Sequence, residues 1–295
     1  MTADRPPTID PVAARRWAQR APARPPWLHE EVGRRMAERL QWIRLEPEAW
    51  ADWEPVRGGL EAHALVAARY PKARRWIVER EPRQAASAKA AIKRAWWRPG
   101  APALEHGPVP DGAARMLWSN MALHMAADPQ ELIARWHRAL AVDGFLMFSC
   151  LGPDTVRELK ALHASQGWPP PAHDFTDMHD WGDMLIHAGF AEPVMDMERI
   201  VLTWESPGRM VEELRELGAN LHPARFGGLR GHAWRRGWDE QAGQFLRGAD
   251  GRLSLTFEII YGHALKPPPK VRLAGESAVS VQDLQALLRS GRKPR

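Results

Sequence analysis

Cysteine and tyrosine are scarce in this chain, and long apolar runs are missing from it. Cys150 is the single cysteine among 295 residues, which excludes an internal disulfide and a multi-cysteine zinc site. The longest apolar run, 144–151, is far shorter than the ~18 residues that a membrane-spanning helix needs. The amino-terminal stretch also lacks the apolar core of a secretory signal. We therefore expect a cytoplasmic protein with no membrane segment.

Charge is unevenly distributed along the chain, whose formal net charge is +5. Between Arg69 and Arg98, ten Lys and Arg residues stand against two acids, whereas 177–216 holds ten acids against three arginines. A basic face is the usual electrostatic signature of an acidic partner, either a nucleic acid or an acidic carrier protein. No finger, helix-turn-helix or aromatic–basic RNA motif accompanies it, so a nucleic acid is disfavoured. A merely solvated surface remains the alternative.

The spacing of apolar residues predicts strands alternating with helices. Strands are expected at 49–53, 75–79, near Leu104, 115–118, 145–150, 199–204 and 253–261. Helices are expected at 27–45, 60–70, 83–97, 128–141, 153–165, 178–188, 207–217 and 232–245. The alternation indicates an α/β, doubly wound domain over 27–266, in which 145–150 is buried on both faces of a parallel sheet. The strand at 253–261 alternates apolar and polar residues, which is typical of an antiparallel strand.

The two ends of the chain differ from this domain in composition. Residues 1–26 are rich in Pro, Arg and Ala, and we expect them to form a flexible arm. Residues 267–295 form a Pro-rich basic tail, in which Ser280 to Asp283 resembles the capping box of a short helix.

Five stretches resemble the malonyl-acyl-carrier-protein O-methyltransferases of biotin synthesis, and the resemblance extends from about Trp27 to Lys266. They are Leu117–His124, Phe148–Leu159, Asp177–Asp183, Ala188–Glu198 and Leu214–Asn220. The resemblance implies a Rossmann-like class I methyltransferase with a seven-stranded, mostly parallel sheet, a late antiparallel strand and helices on both faces. It also implies S-adenosylmethionine as cofactor and a malonyl-bearing acyl carrier protein as partner. A mitochondrial complex I assembly factor, a hydroxylase of the same fold, shares some of the stretches.

The cofactor loop departs from the pattern of the family. After the first strand the family has a Gly-x-Gly-x-Gly turn, because the backbone must lie against the cofactor and a Cβ would clash there. Here only Gly58 of that pattern remains, while Glu54 and Val56 stand at the other two glycine positions. Pro55 also removes a backbone donor from the turn. Whether the cofactor still binds is therefore the main question that the sequence raises.

By resemblance, the remaining residues of the cofactor site can still be assigned. The expected cofactor-binding residues are Asp52, Arg57, Gly58, Gly59 and Glu79. Glu79 would hold the ribose hydroxyls, or else pair with a neighbouring arginine, and Arg57 would pair with the carboxylate of the cofactor. The expected reaction centre, after the fourth strand, is Ser119 and Asn120. Methylation of a carboxylate needs no general base, because the nucleophile is already an anion.

Docking of the carrier protein is expected at the basic stretch, through Arg74, Arg75 and Arg83. A second candidate surface is Arg225, Arg230, Arg235 and Arg236. No metal is expected, although His179, Asp183 and His187 share one helix face by their spacing, because the matching helix of the family carries none. Two alternative functions stay open: a catalytically silent protein of the same fold that acts as a binding or regulatory partner, and a hydroxylase-like activity.

Overall fold

A seven-stranded sheet forms the centre of the protein in a computed structural model that describes residues 9–20, 24–93 and 102–269. The strands are β1 (Ala49–Trp53), β2 (Arg74–Val78), β3 (Leu104–His106), β4 (Ala114–Ser119), β5 (Leu140–Leu151), β6 (Ala191–Trp204) and β7 (Leu253–Leu265). Their order is β3-β2-β1-β4-β5-β7-β6. Every pairing is parallel except those of β7, which runs antiparallel to both β5 and β6. The predicted fold class is confirmed.

Ten α-helices are found in the described part of the chain. They are α1 (Pro11–Ala18), α2 (Trp27–Arg39), α3 (Pro55–Gly58), α4 (Leu60–Arg69), α5 (Pro82–Ala91), α6 (Pro129–Ala139), α7 (Arg157–Ser165), α8 (Met178–His187), α9 (Pro207–Leu217) and α10 (His232–Phe245). A short 3-10 turn, Leu40–Trp42, extends α2. None of these helices is both long and apolar enough to cross a membrane.

Helices cover both faces of the sheet because the central strands alternate apolar side chains. In β4, Met116 and Trp118 belong to the core beneath α2, α4, α7, α9 and α10, whereas Leu117 belongs to the core beneath α6 and α8. In β5, Phe145 lies on the first face and Leu146 on the second, and both are almost completely buried. The interpretation of 145–150 as a strand buried on both faces is therefore correct.

The amino-terminal arm differs from its prediction. Residues 11–18 form the helix α1 instead of a loose segment. The carboxylate of Asp10 accepts hydrogen bonds from the backbone N–H groups of Val12 and Ala13, and Pro11 stands at the first helical position. This capping signal is present in the sequence, but it lies within an arginine- and proline-rich stretch that is otherwise typical of a loose segment. Residues 1–8 and 21–23 of the arm lie outside the described residues.

Smaller differences concern the boundaries of elements. Helix α7 begins at Arg157 and not at Pro153, because Val156 has a φ of 51° and interrupts the helical backbone before it. Helix α5 was predicted to run to residue 97 but ends at Ala91, because the backbone of Ile92 is extended. Residues 94–97 of the prediction fall outside the described residues. The same is true of the predicted short helix in the tail, since the description ends at residue 269. The limits of the domain, 27 and 266, remain a prediction.

Candidate functional site

The carboxyl ends of β1, β2, β4 and β5 meet at one edge of the sheet, where open α/β sheets place their ligands. Three non-glycine residues there have left-handed backbones: Glu54 after β1, Met121 after β4 and Val156 after β5, with φ values of 60°, 56° and 51°. Such conformations are costly for residues with a Cβ and concentrate at functional sites. This edge is the candidate active site.

The loop after β1 keeps a left-handed turn although its glycine is gone. Glu54 has this left-handed backbone and pairs with Arg80, while Val56 is 3% exposed and packs in the core. Gly58 cannot be replaced without movement, because a Cβ there would lie 2.8 Å from the carbonyl oxygen of Asn120. The loop is therefore held tightly against the end of β4.

Glu30, on α2, occupies the amino terminus of the helix that follows the loop. One of its carboxylate oxygens accepts hydrogen bonds from the N–H groups of Leu60 (2.8 Å) and Glu61 (3.1 Å), and the other accepts one from Ala62 (3.0 Å). A helix amino terminus is a natural anion-binding site. Here the chain's own carboxylate fills it. Sequence reasoning missed this residue because it stands thirty positions before its partners.

Glu79 faces the loop, at the position expected for the ribose-binding acid. Its Oε1 accepts a hydrogen bond of 2.9 Å from the N–H of Val56. Within the described residues its Oε2 is buried without a hydrogen-bond partner. Burial raises the pKa of Glu79 from about 4.5 to about 8, and the nearby carboxylates of Glu54 and Asp52 act in the same direction. The proposed contact with a ribose remains a prediction.

Asp52 and Arg57 are placed differently from their expected roles. The Asp52 carboxylate is buried against His63, with Oδ2 2.7 Å from Nδ1. The Arg57 guanidinium donates hydrogen bonds to the backbone carbonyls of Trp17 (3.2 Å) and Arg20. It also lies 4.2 Å from the ring centre of Trp17. Arg57 therefore binds helix α1 of the same chain, whereas the resemblance led us to expect that it pairs with the cofactor.

Ser119 and Asn120 lie at the end of β4 as expected, but both are buried. Asn120 Nδ2 donates to the carbonyls of His29 (2.7 Å) and Gly58, and its Oδ1 accepts from Ser149 Oγ (2.6 Å). These contacts use both N–H bonds of the amide and one lone pair of its oxygen. Asn120 is thus a positioning residue that clamps α2, the loop and β5 together, and its side chain is not free for a substrate. The Ser119 hydroxyl is also buried, without a partner among the described residues.

The crevice between the loop and α1 is small. It is lined by Ala14, Trp17, Ala18, Glu54, Arg57, Arg80, Glu81, Gln84, Met121, Ala122 and Met125. The free volume is about 20 Å³, which is room for a water molecule. Pockets for nucleotide-sized ligands are usually about 300–1,000 Å³. With α1 in this place, the crevice does not fit S-adenosylmethionine.

A wider groove opens beside this edge, between α9, α10 and the segment 218–231, with a volume of about 860 Å³. Its walls carry Arg215, Arg230 and Trp234, and the Arg230 guanidinium lies 3.8 Å from the ring centre of Trp234. Neither Arg215 nor Arg230 forms an ion pair with any carboxylate of the described residues. The groove adjoins a chamber of about 120 Å³, with which it shares Leu214 and Asn220.

The arginines expected to dock the carrier do not form one surface. Arg74 and Arg75 begin β2 and therefore lie at the amino edge of the sheet, opposite the candidate site. Arg83 follows the carboxyl end of the same strand, in α5. Five strand residues, or roughly 16 Å, separate the two edges. The second candidate cluster contributes Arg225, Arg230 and Arg235 to the walls of the groove, although Arg225 pairs with Asp10 and Arg235 with Asp239.

Metal ligation finds no support at the histidine spacing noted in α8. His179 Nδ1 lies 2.6 Å from the carboxylate of Asp177, the residue that caps this helix. In the described part of the chain, no three His, Cys, Asp or Glu side chains are grouped closely enough to hold a metal ion.

The strand order, with an antiparallel β7 between β5 and β6, defines a class I methyltransferase fold. A family model described as a methyltransferase domain matches residues 58–148, so its match begins after Arg57. A candidate methyltransferase of Bacillus halodurans C-125 has the same fold, with a TM-score of 0.50 and 16% identity, and the match covers 79% of this chain and 99% of that one.

Similar sequences narrow the class to a family. The malonyl-[acyl-carrier protein] O-methyltransferase of Laribacter hongkongensis is 39% identical over 258 residues, which cover 83% of this chain and 84% of that protein. The protein of the same name from Gallionella capsiferriformans is 36% identical over 263 residues, covering 85% and 88%. This chain belongs to the malonyl-[acyl-carrier protein] O-methyltransferase family, as the sequence motifs indicated.

The different bonding of two neighbouring residues predicts different effects on stability. Asn120→Ala leaves the carbonyls of His29 and Gly58 and the hydroxyl of Ser149 without their partner, so we expect it to lower the free energy of unfolding by about 1–3 kcal/mol. Ser119→Ala removes a buried hydroxyl that has no partner among the described residues, and should leave stability unchanged or higher. Urea unfolding of both variants checks this. Equal losses would contradict the assignment of Asn120 as a clamp.

The pKa of Glu79 predicts how stability depends on pH. Because the pKa rises from about 4.5 to about 8 on folding, the native state holds the extra proton between these values. This contribution to stability is complete below pH 4.5 and is lost as the pH rises through 8. Glu79→Gln keeps an acceptor for the N–H of Val56 and cannot ionise, so it should be more stable than the parent at about pH 9 and closer to it at about pH 5. Urea unfolding at both pH values measures this difference.

The control is Glu105→Gln, at an exposed position of β3. It should show the same pH dependence as the parent protein. A Glu79→Gln variant with the parent's full decline toward high pH would contradict the assigned pKa.

Proposed function

We propose that this protein is a malonyl-[acyl-carrier protein] O-methyltransferase that esterifies the free carboxylate of a malonyl group carried by an acyl carrier protein. The observation that carries the proposal is membership of the family, at 39% identity over most of the chain. The methyl donor of this fold class is S-adenosylmethionine. A malonyl carboxylate is already an anionic nucleophile at neutral pH, so alignment in a dry pocket is the main contribution required from the protein.

The groove and the chamber beside the reaction edge suit such a substrate. Arg215 and Arg230 give the groove two cationic side chains that pair with none of the described carboxylates, as an acidic partner requires. The chamber behind it is lined mainly by apolar side chains, among them Leu151, Val156 and Phe257 at the end of the sheet where the reaction centre is expected. We therefore assign the groove to the carrier and the chamber to the acyl end of its prosthetic arm.

A second candidate function is a catalytically silent binding or regulatory partner. It is favoured by the crevice of about 20 Å³, which has no room for the cofactor while α1 is in place. The two functions differ in whether S-adenosylmethionine ever binds.

Methyl transfer itself tests the proposal. The purified full chain is incubated with S-adenosylmethionine and malonyl-loaded carrier protein, and mass spectrometry of the carrier follows the gain of one methyl group. Carrier loaded with an acetyl group is the control, because it has no free carboxylate and should gain nothing. Absence of methyl ester from the malonyl carrier, together with no heat on titration with millimolar cofactor, would contradict the proposal and leave the silent partner.

Charge reversal tests the docking surface. We expect Arg215→Glu with Arg230→Glu to weaken binding of the carrier by roughly tenfold at low salt and to reduce its salt dependence. Arg74→Glu with Arg75→Glu, at the opposite edge of the sheet, should have little effect. Fluorescence anisotropy of labelled carrier measures both. The reverse pattern would place docking at the amino edge and overturn the assignment of the groove.

A further inference from the structure

Helix α1 and the cofactor crevice compete for the same space. The carboxyl-terminal half of α1 supplies Ala14, Trp17 and Ala18 to one wall, and the loop after β1 and helix α5 supply much of the opposite wall. The gap of about 20 Å³ between them leaves no path for a nucleotide-sized ligand. With α1 in this position, the crevice has no room for a bound cofactor.

Two side chains of the crevice hold the end of α1. The last carbonyls of a helix lack partners within the helix and carry a partial negative charge. Arg57 donates to the carbonyls of Trp17 and Arg20, and Gln84 Nε2 donates to that of Ala18 (3.0 Å). The Arg57 guanidinium also packs on the Trp17 ring, and Gln84 is 5% exposed. Residues of the cofactor site are thus used to bind α1.

The other end of α1 is anchored away from the crevice. The N–H of Asp10 donates to the carbonyl of Leu221 (2.8 Å), and its carboxylate pairs with Arg225 (2.7 Å). Ile9 and Ala14 pack on Leu221 in a small separate cluster. None of Asp10, Leu221 and Arg225 lines the crevice.

Helix α1 can leave its position because it is short and only slightly buried. The helix has eight residues, of which only Ala14 is fully buried. A helix of this length is unstable alone, so its position depends on the contacts just described. Its hydrogen bonds and its ion pair can be exchanged for water, and its apolar packing is confined to one small cluster that includes Ala14 and Leu221.

We propose that α1 is a gate that competes with the cofactor: the seated helix, latched by Arg57 and Gln84, closes the crevice, and only molecules in which α1 has left its seat admit the cofactor. This inference rests on the proposed function in taking the crevice as the cofactor site. When the competent form is a minor fraction, the apparent dissociation constant rises by the inverse of that fraction. Any change that unseats α1 therefore raises affinity.

Asp10→Ala tests the gate from outside the crevice. The variant loses the helix cap and the pair with Arg225 without changing any residue that lines the crevice. We expect faster hydrogen exchange of the amides of 11–18 and binding of S-adenosylhomocysteine, measured by calorimetry, that is about fivefold tighter than in the parent. Arg16→Ala is the control, since Arg16 is an exposed residue of the same helix, and both quantities should match the parent.

Arg57→Ala provides a second variant in which the latch itself is removed. Faster exchange of 11–18 in either variant with no gain in affinity, including no binding at all, would overturn the proposal. The proposal would also be overturned if the parent protein bound S-adenosylhomocysteine while 11–18 stayed fully protected from exchange. Unchanged hydrogen exchange in both variants would overturn it as well. A gain in affinity without methyl transfer would leave the gate and remove the proposed function. Methyl transfer by a parent protein whose α1 keeps its position would leave the proposed function and remove the gate.

Discussion

Side chains of the protein itself hold the loop after β1 by hydrogen bonds, and the candidate site is arranged around this constraint. Glu30 fills the amino terminus of α4, Glu79 accepts from Val56, and Asn120 fixes Gly58 against the end of β4. Each of these contacts joins the loop, or the helix that follows it, to a side chain of another element. Backbone donors and acceptors of the loop are thus satisfied by the chain's own side chains.

Arg57 extends the same arrangement to the amino-terminal helix. A glycine-rich turn presents backbone to a ligand, whereas this loop presents a guanidinium, and that group binds the carbonyls at the end of α1. Arg57, which stands between Val56 and Gly58, therefore links the loop to the helix that closes the crevice. The family membership and the closed crevice are compatible if α1 moves, because a helix of eight residues with a single buried side chain can be displaced.

Much of the fold could be predicted from the sequence because its signals are local. The alternation in 253–261 marks β7, and Asp128 followed by Pro129 marks the start of α6. The contacts within the site could not be predicted as well from the sequence. Asp52 was correctly placed on β1, and Ser119 and Asn120 at the end of β4. The partners of Asp52 and Asn120, which are His63, His29 and Ser149, come from other elements, and no local pattern reports a contact of that kind. Helix α1 begins with the cap signal Asp10-Pro11, but the Pro- and Arg-rich composition around it is typical of a loose segment and predicts no helix.

Hydrogen exchange of residues 11–18 during titration with S-adenosylmethionine tests the account most directly. If the seated helix and the cofactor exclude each other, the exchange of these amides must become faster as the cofactor binds, while the exchange of the strands β4 and β5 stays as it was. Binding that leaves the amides of α1 as protected as before, or protects them further, would contradict the account.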